Sequence, residues 1–272
     1  MLKQRVVTAL VIAPLTIAGI VALHGLGFAL FIGLFIVISG WEWADLAGLK
    51  GHMRITYAGF LSVVLAGSYY LSPIPVLTIG LCWWLGAFVL VICYPKLVRY
   101  WSSKMIRCAI GLVILVPAWV AMLQLKLLPD GTLLIMLLFF LVWGADTGAY
   151  FSGRAFGKRK LSPEISPGKT QAGFYGGLAT AMLIAIIMHY VTGKSDLVSG
   201  AGIIFLGGCL VVAMVSVLGD LTISMFKRHA GVKNSSNLLP GHGGFLDRID
   251  SLLAAAPVFV ALILFSGWTR VS

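Results

Sequence analysis

Apolar runs long enough to cross a bilayer recur from one end of this chain to the other. A hydrocarbon core about 30 Å thick needs about 17–25 mostly apolar residues in a helix. Such runs are marked at about 6–23, 26–41, 55–71, 75–94, 106–124, 132–151, 172–191, 200–219 and 251–268. Composition agrees: 60% of the 272 residues are hydrophobic and 11% charged, with a mean hydropathy of +1.00. A typical soluble domain is roughly 25% charged, and one soluble core cannot bury this much apolar surface. The expectation is an all-α polytopic integral membrane protein with about nine transmembrane helices and a cytoplasmic N-terminus.

The opening "MLKQRVVTALVIAPLTIAGIVALHG" has the basic start of a signal peptide. Its apolar part exceeds the usual core of about 7–15 residues, and no A-x-A-like site follows. It reads as a retained first span, joined to the second by the hinge "HGLG". Cys82, Cys93, Cys108 and Cys209 lie in or beside apolar runs at no metal-ligand spacing, which suits small buried hydrophobes.

Basic residues set the orientation. With the N-terminus inside, 17 of the 20 Lys and Arg fall on the cytoplasmic side, and only Lys126, Lys194 and Arg270 fall outside. The net charge of +11 is thus a charge of one face, suited to anionic lipid heads. No internal repeat stands out. Residues 1–130 read as scaffold helices, and residues 131–272 as the region that carries the two longest cytoplasmic loops.

The first of these loops is "WGADTGAYFSGRAFGKRKLSPEISPGKTQAGFYGG". Asp146 lies near the inner end of an apolar helix, where an ionisable group calls for a partner or a function. Snorkelling into headgroups is the bland alternative. "GKRK" and "SPGKT" supply Lys, Arg, hydroxyls and glycines suited to cradling phosphate. A Walker A motif is excluded, because Pro163 stands where it needs its first glycine.

The second loop is "SVLGDLTISMFKRHAGVKNSSNLLPGHGGFLDRIDS". Asp220 closes one span, and Asp247 and Asp250, at i and i+3, open the next on one helical face. Ordinary helix capping is the lesser alternative for the latter two. Three carboxylates converging among basic residues would otherwise repel. Hard cations, Mg²⁺ above all, take oxygen ligands and bridge substrate phosphates. His242 is expected to donate to a phosphate or to a loop carbonyl, and the spacing of His229 and His242 gives no zinc pair. Metal-assisted transfer to a phosphorylated substrate fits, and so does an ion-coupled transporter. Transporters tend to place their sites near the midplane between repeats, whereas these acids sit at span ends on one side.

The stretch "SMFKRHAGVKNSSNLLPGHGGFLDRID", from Ser224 to Asp250, resembles the signature of the phosphatidate cytidylyltransferases, also called CDP-diacylglycerol synthases. The resemblance extends to "WGADTGAYFSGRAFGKRKL", "SPGKT" and "SVLGDLT", and more loosely to "MLKQRV" and "WEW" at 41–43. It implies an inner-membrane bacterial enzyme that makes CDP-diacylglycerol and pyrophosphate from CTP and phosphatidic acid. It also implies Mg²⁺, with room for a second cation of unassigned identity, a homodimer among membrane lipids, and no nucleic-acid partner. By matching position, Asp220, Asp247 and Asp250 would hold the cation, with Lys227 beside them as a catalytic group. Asp146, Ser166, Lys169, Ser224, Arg228, Lys233, His242, Gly243, Gly244 and Arg248 would face the substrates.

The chain departs from that pattern at three places. Asn234 replaces an aspartate, Ile223 replaces an acid, and Gln171-Ala172 stand where an aromatic and then Glu or Gln are usual. An active enzyme tolerating these changes is the expectation. A catalytically impaired homologue, or a lipid or ion transporter on the same scaffold, is the alternative.

Overall fold

The computed structural model describes residues 2–191 and 197–266. The chain forms α1 (Leu2–Ala22), α2 (Gly25–Leu46), α3 (His52–Tyr69), α4 (Pro73–Ile92), α5 (Val98–Trp101), α6 (Lys104–Leu127) and α7 (Gly131–Phe156). A ribbon of β1 (Lys160–Ser162) and β2 (Ser166–Thr170) follows, then α8 (Gln171–Val191), α9 (Gly200–His229) and α10 (Leu246–Ser266). The expected all-α membrane architecture holds, with the ribbon as its one departure among the described residues.

Seven of these helices are long and apolar enough to cross a membrane: α2, α4, α6, α7, α8, α9 and α10. Of the other two expected spans, α1 carries the apolar stretch Leu10–Ala22 among its described residues. In α3, His52, Arg54 and two tyrosines dilute an 18-residue helix. The end of the ninth expected span, residues 267–268, lies outside the described residues, as do Lys194 and Arg270.

Helix α6 is the central post, packing against α2, α3, α4, α7 and α10. Its Ile114, Leu115, Ala121 and Leu125 are fully buried. Helix α10 stands beside it and touches α2, α4, α7 and α9 as well. Aromatic edges knit one end of the bundle together: Phe226 of α9 lies 4.8 Å from Trp43 of α2 and 4.6 Å from Trp101 of α5, centroid to centroid. Trp43 Nε1 donates to the Arg107 carbonyl at 2.8 Å, and Arg107 Nη1 donates to the Leu46 carbonyl at 2.9 Å, joining α2 to α6.

Several helices outrun their apolar runs. The backbone of α9 stays helical to His229, so Asp220 lies inside a helix, about 14 Å from its end at 1.5 Å per residue. The continuation is paid for by burial: Leu221, Ile223, Met225 and Phe226 all face the core. In the same way α2 continues through "WEWADL", with Glu42, Trp43, Ala44 and Leu46 buried.

The ribbon pairs Lys160 with Thr170 and Ser162 with Ser166 in antiparallel register. Ile165 at its turn is buried, and Arg228 Nε donates to the Ile165 carbonyl at 3.0 Å, tying the ribbon to α9. Lys169 is thereby held over α9 rather than left on a free loop.

Helices α9 and α10 approach closely at Gly219. A Cβ there would stand 2.5 Å from the Asp250 carbonyl oxygen and 2.9 Å from the Ala254 Cβ. Overpacking of this kind costs about 1–3 kcal/mol. Gly219→Leu is therefore expected to lower the thermal unfolding midpoint in detergent. Gly207→Ala on the same helix, where a Cβ meets nothing within 4 Å, is expected to leave the midpoint unchanged or raised.

Candidate active site

Where the chain enters α10 it must satisfy helix N–H groups that have no intrahelical partner, and it does so with two carboxylates. Glu42 of α2 is fully buried and accepts from Phe245 N at 2.8 Å and Leu246 N at 2.6 Å. It also accepts from Ser235 Oγ at 2.9 Å and from Ser236 Oγ. Asp247 reaches back along the chain, and its Oδ2 accepts from Gly244 N at 3.0 Å, Ser235 N at 2.9 Å and Ser235 Oγ at 3.1 Å. Its Oδ1 is 2.7 Å from Lys227 Nζ. Both members of that ion pair are buried, with side-chain exposures of 9% for Lys227 and 6% for Asp247.

The "GHGG" turn is what this convergence requires. Gly243 has φ +85°, and a Cβ on it would press on Asp247 and Asn234. At Gly244 a Cβ would fall 1.9 Å from Ser235 Oγ and 2.7 Å from Glu42 Oε2.

A second set of charges lies one helical turn deeper. Asp220 Oδ2 is 2.7 Å from Lys169 Nζ, and its Oδ1 accepts from Ser224 Oγ at 3.1 Å. Asp250 is buried behind it at the Gly219 crossing and accepts from Ser251 N at 2.8 Å. Asp220, Lys227 and Lys169 all act electrostatically on Asp250. Asp146 of α7 completes the set, within electrostatic reach of Lys169, Asp220 and Arg248. Four helices and a ribbon thus bring acids and bases from residues 42, 146, 169, 220, 227, 247, 248 and 250 to one end of the bundle.

This polar cluster opens into a cavity of about 300 Å³. Asp146, His242, Asp247, Arg248 and Asp250 line one part, and the rest is mostly apolar, with Phe35, Met122, Phe139 and Trp143 among its walls. The His242 Nδ1 atom is buried and has no hydrogen-bond partner. Helix α1 supplies a further wall through Ile12, Ala13 and Thr16, and Thr8 Oγ1 donates to the Pro240 carbonyl at 3.1 Å. The volume is at the lower end of small-ligand sites, about 300–1,000 Å³. It suits the polar end of an amphiphile whose apolar part continues outward.

A model of the cytidylyltransferase family matches residues 3–266. The chain belongs to that family. It is 50% identical over 271 residues to a phosphatidate cytidylyltransferase of Pseudomonas aeruginosa, covering 98% of this chain and 99% of the relative. It is 40% identical over 287 residues to one of Haemophilus influenzae, covering 97% and 99%. A third, from Brucella suis, is 35% identical over 260 residues, covering 94% and 90%.

Against the family signature, the structure brings together Asp146, Lys169, Asp220, Ser224, Lys227, His242, Gly243, Gly244, Arg248, Asp247 and Asp250. It does not bring in every expected residue. Arg228 spends its guanidinium on the carbonyls of Ile165 and Val232. Lys233 is exposed on the loop, and Ser166 pairs with Ser162 in the ribbon. Nor do the three aspartates form one cation cage. Among the described residues no three His, Cys, Asp or Glu side chains gather as a ligand set. Asp247 turns instead to Lys227 and the loop N–H groups, leaving Asp220 and Asp250 as the neighbouring pair.

Of the departures from the family pattern, Ile223 is fully buried in the apolar core. Asn234 packs against Gly243, where a Cβ would lie 3.2 Å from its Cγ. Sequence reasoning missed Glu42 and Ser235. Glu42 carried a signal like that of Asp146, an acid beside the end of an apolar run, but stood far from the motif-bearing loops.

Breaking a buried ion pair by removing one partner costs about 3–5 kcal/mol, because the other charge is left uncompensated. Asp247→Asn is expected to destabilise the protein on that scale, measured by thermal unfolding in detergent, and Lys227→Met in the same chain to recover part of the loss. Asp146→Asn, open to the cavity, is expected to change stability by less than about 1 kcal/mol.

Proposed function

We propose that this chain transfers the cytidylyl group of CTP to phosphatidic acid, giving CDP-diacylglycerol and pyrophosphate. One observation carries the reading beyond the named relatives: a single site joins a charged cluster to an apolar cavity. One substrate is a soluble polyanion and the other an anionic amphiphile, so their meeting place needs both kinds of surface. Lys169, Lys227 and Arg248 suit phosphate oxygens, and the unpartnered His242 Nδ1 offers a further polar contact at the cavity wall.

The chemistry asks little proton transfer of the protein. A phosphate oxygen of phosphatidic acid forms the new bond to the α-phosphorus of CTP, and the bond to the β-phosphate oxygen breaks as pyrophosphate leaves. Phosphate monoesters lose their second proton with a pKa of about 6, so the nucleophile is anionic without a general base. What the residues supply is position and charge. Lys227 is held still by Asp247, and Lys169 by Asp220.

Asp220 and Asp250 are the residues that would hold Mg²⁺. That ion commonly takes one or two carboxylates and completes its shell with water and substrate phosphates, which suits a carboxylate pair better than a closed cage. When bound it offsets charge on the triphosphate oxygens. Asp247 on this reading fixes Lys227.

The site faces the cytoplasm of a bacterial inner membrane, with nine crossings and the N-terminus inside. Two features support this. The basic residues crowd the side that carries Lys169, Lys227 and Arg248. Helix α3, at about 27 Å for its 18 residues, nearly matches the hydrocarbon thickness and packs along α2 and α6.

Purified protein in detergent is expected to release pyrophosphate only when CTP, phosphatidic acid and Mg²⁺ are all present, and to stop on chelation. Release without the lipid would identify a nucleotide hydrolase instead. For topology, single cysteines are introduced into a cysteine-free background. A membrane-impermeant maleimide applied to spheroplasts is expected to label Pro129→Cys and to spare Lys233→Cys until the membrane is opened. The reverse pattern would invert the orientation.

A further inference from the structure

We propose that Glu42 is a positioning residue for nucleotidyl transfer, acting through Ser235 and the start of α10 to hold the Asp247–Lys227 pair. The inference rests on the transfer reaction proposed above and adds a residue from the opposite half of the chain to its machinery.

Glu42 sits in the middle of "WEW" on α2, with 0% exposure. A carboxylate so placed has lost its water and needs other donors. Those donors are four groups from a segment about 200 residues later: two serine hydroxyls and the N–H groups of Phe245 and Leu246. Both carboxylate oxygens are used, each by one hydroxyl and one backbone N–H. The two N–H groups stand at the positive end of α10, which favours an anion.

The arrangement passes directly to Asp247. Ser235 Oγ lies 2.9 Å from Glu42 Oε2 and 3.1 Å from Asp247 Oδ2. A serine hydroxyl has one proton, so it serves the two carboxylates in turn, while Ser235 N donates to Asp247 alone. Gly244 N, also on Asp247, immediately precedes the two N–H groups held by Glu42. Three of the four contacts that orient Asp247 therefore come from residues that Glu42 pins or adjoins. The fourth is Lys227 itself. Phe35, two turns earlier on α2, stacks on Phe245 at 4.9 Å and fixes the same segment from its apolar side. Helix α2 thus holds the loop as a clamp, and Glu42 is its polar jaw.

Glu42→Gln preserves shape but turns one acceptor into a donor, so one backbone N–H loses its partner and one hydroxyl must turn from donating to accepting. Supporting contacts of this kind commonly carry about 10–100-fold of activity. The test measures steady-state pyrophosphate release and amide hydrogen exchange over 235–246 for wild type, Glu42→Gln, Ser235→Ala and the double variant. Glu42→Gln is expected to lower kcat about 10–100-fold with KM for CTP and phosphatidic acid little changed. The double variant is expected to lose less than the product of the two single losses, because both act on one path. Exchange should quicken over 235–246 and not along the first half of α9.

Unchanged kcat in Glu42→Gln, or losses that multiply, would overturn the proposal, as would unaltered exchange in the loop. A fall in activity that merely tracks a fall in folded protein, with exchange rising everywhere, would reduce Glu42 to a general stability role and also overturn it. If wild-type protein shows no turnover with CTP and phosphatidic acid, the transfer reading fails by itself. The exchange measurement then still decides whether Glu42 clamps the loop.

Discussion

The Lys227–Asp247 ion pair is the contact around which the charged end of this bundle is arranged. Taking both charges out of water costs several kcal/mol per ion, and their attraction offsets that only where further hydrogen bonds complete the shell. The remaining acceptor capacity of Asp247 is filled from the 235–244 segment, and that segment is in turn held by Glu42. Each step of this chain of contacts demands close backbone approach. Glycine at 243 and 244 and the tight packing of α9 on α10 at Gly219 are consequences of it. A loop that looks flexible by composition is thereby one of the more constrained parts of the molecule.

The second charged set has a different character. Asp220 and Lys169 pair at 2.7 Å but are each 26% exposed, and Asp146 and Arg248 are open to the cavity. Groups that keep access to solvent can exchange protein partners for substrate phosphates at little cost, whereas the buried Lys227 keeps Asp247 and has only its other N–H groups to offer. The two sets divide the work of a site that must be rigid in its frame and adaptable at its surface. The ribbon contributes by anchoring Lys169 through Ile165 and Arg228 instead of leaving it on a mobile tether.

Hydropathy made the class and most of the helices legible, because a bilayer imposes its length on any chain that crosses it. It did not make helix ends legible. Apolar character marks where a helix leaves lipid, while hydrogen bonding decides where it stops, and in α9 the two differ by about ten residues. The ribbon was invisible because strands of three and five residues carry too little alternation to read. Within the site, the residues clustered in two loops were legible from their chemistry and spacing, and the structure gathers most of them. The grouping among them was not. Whether Asp247 faces Asp220 or Lys227 depends on side-chain direction at one helix start, which spacing alone leaves open. Glu42 lay outside the reading because its partners are about 200 residues away.

The departures from the family signature fit the same division. Ile223 lies three residues from Asp220, yet it is fully buried among apolar neighbours, while Asp220, Ser224 and Lys227, at i, i+4 and i+7, share the stripe that faces the charges. An acid at 223 would have to be accommodated in that core, so an isoleucine there removes a buried charge rather than a group facing the cavity. Asn234 precedes Ser235 and packs on Gly243, where an amide keeps the shape of a carboxylate. Neither change touches the hydrogen bonds and ion pairs that orient Lys227 and Lys169. The frame that positions charge is intact in this chain, and these two substitutions fall on its packing.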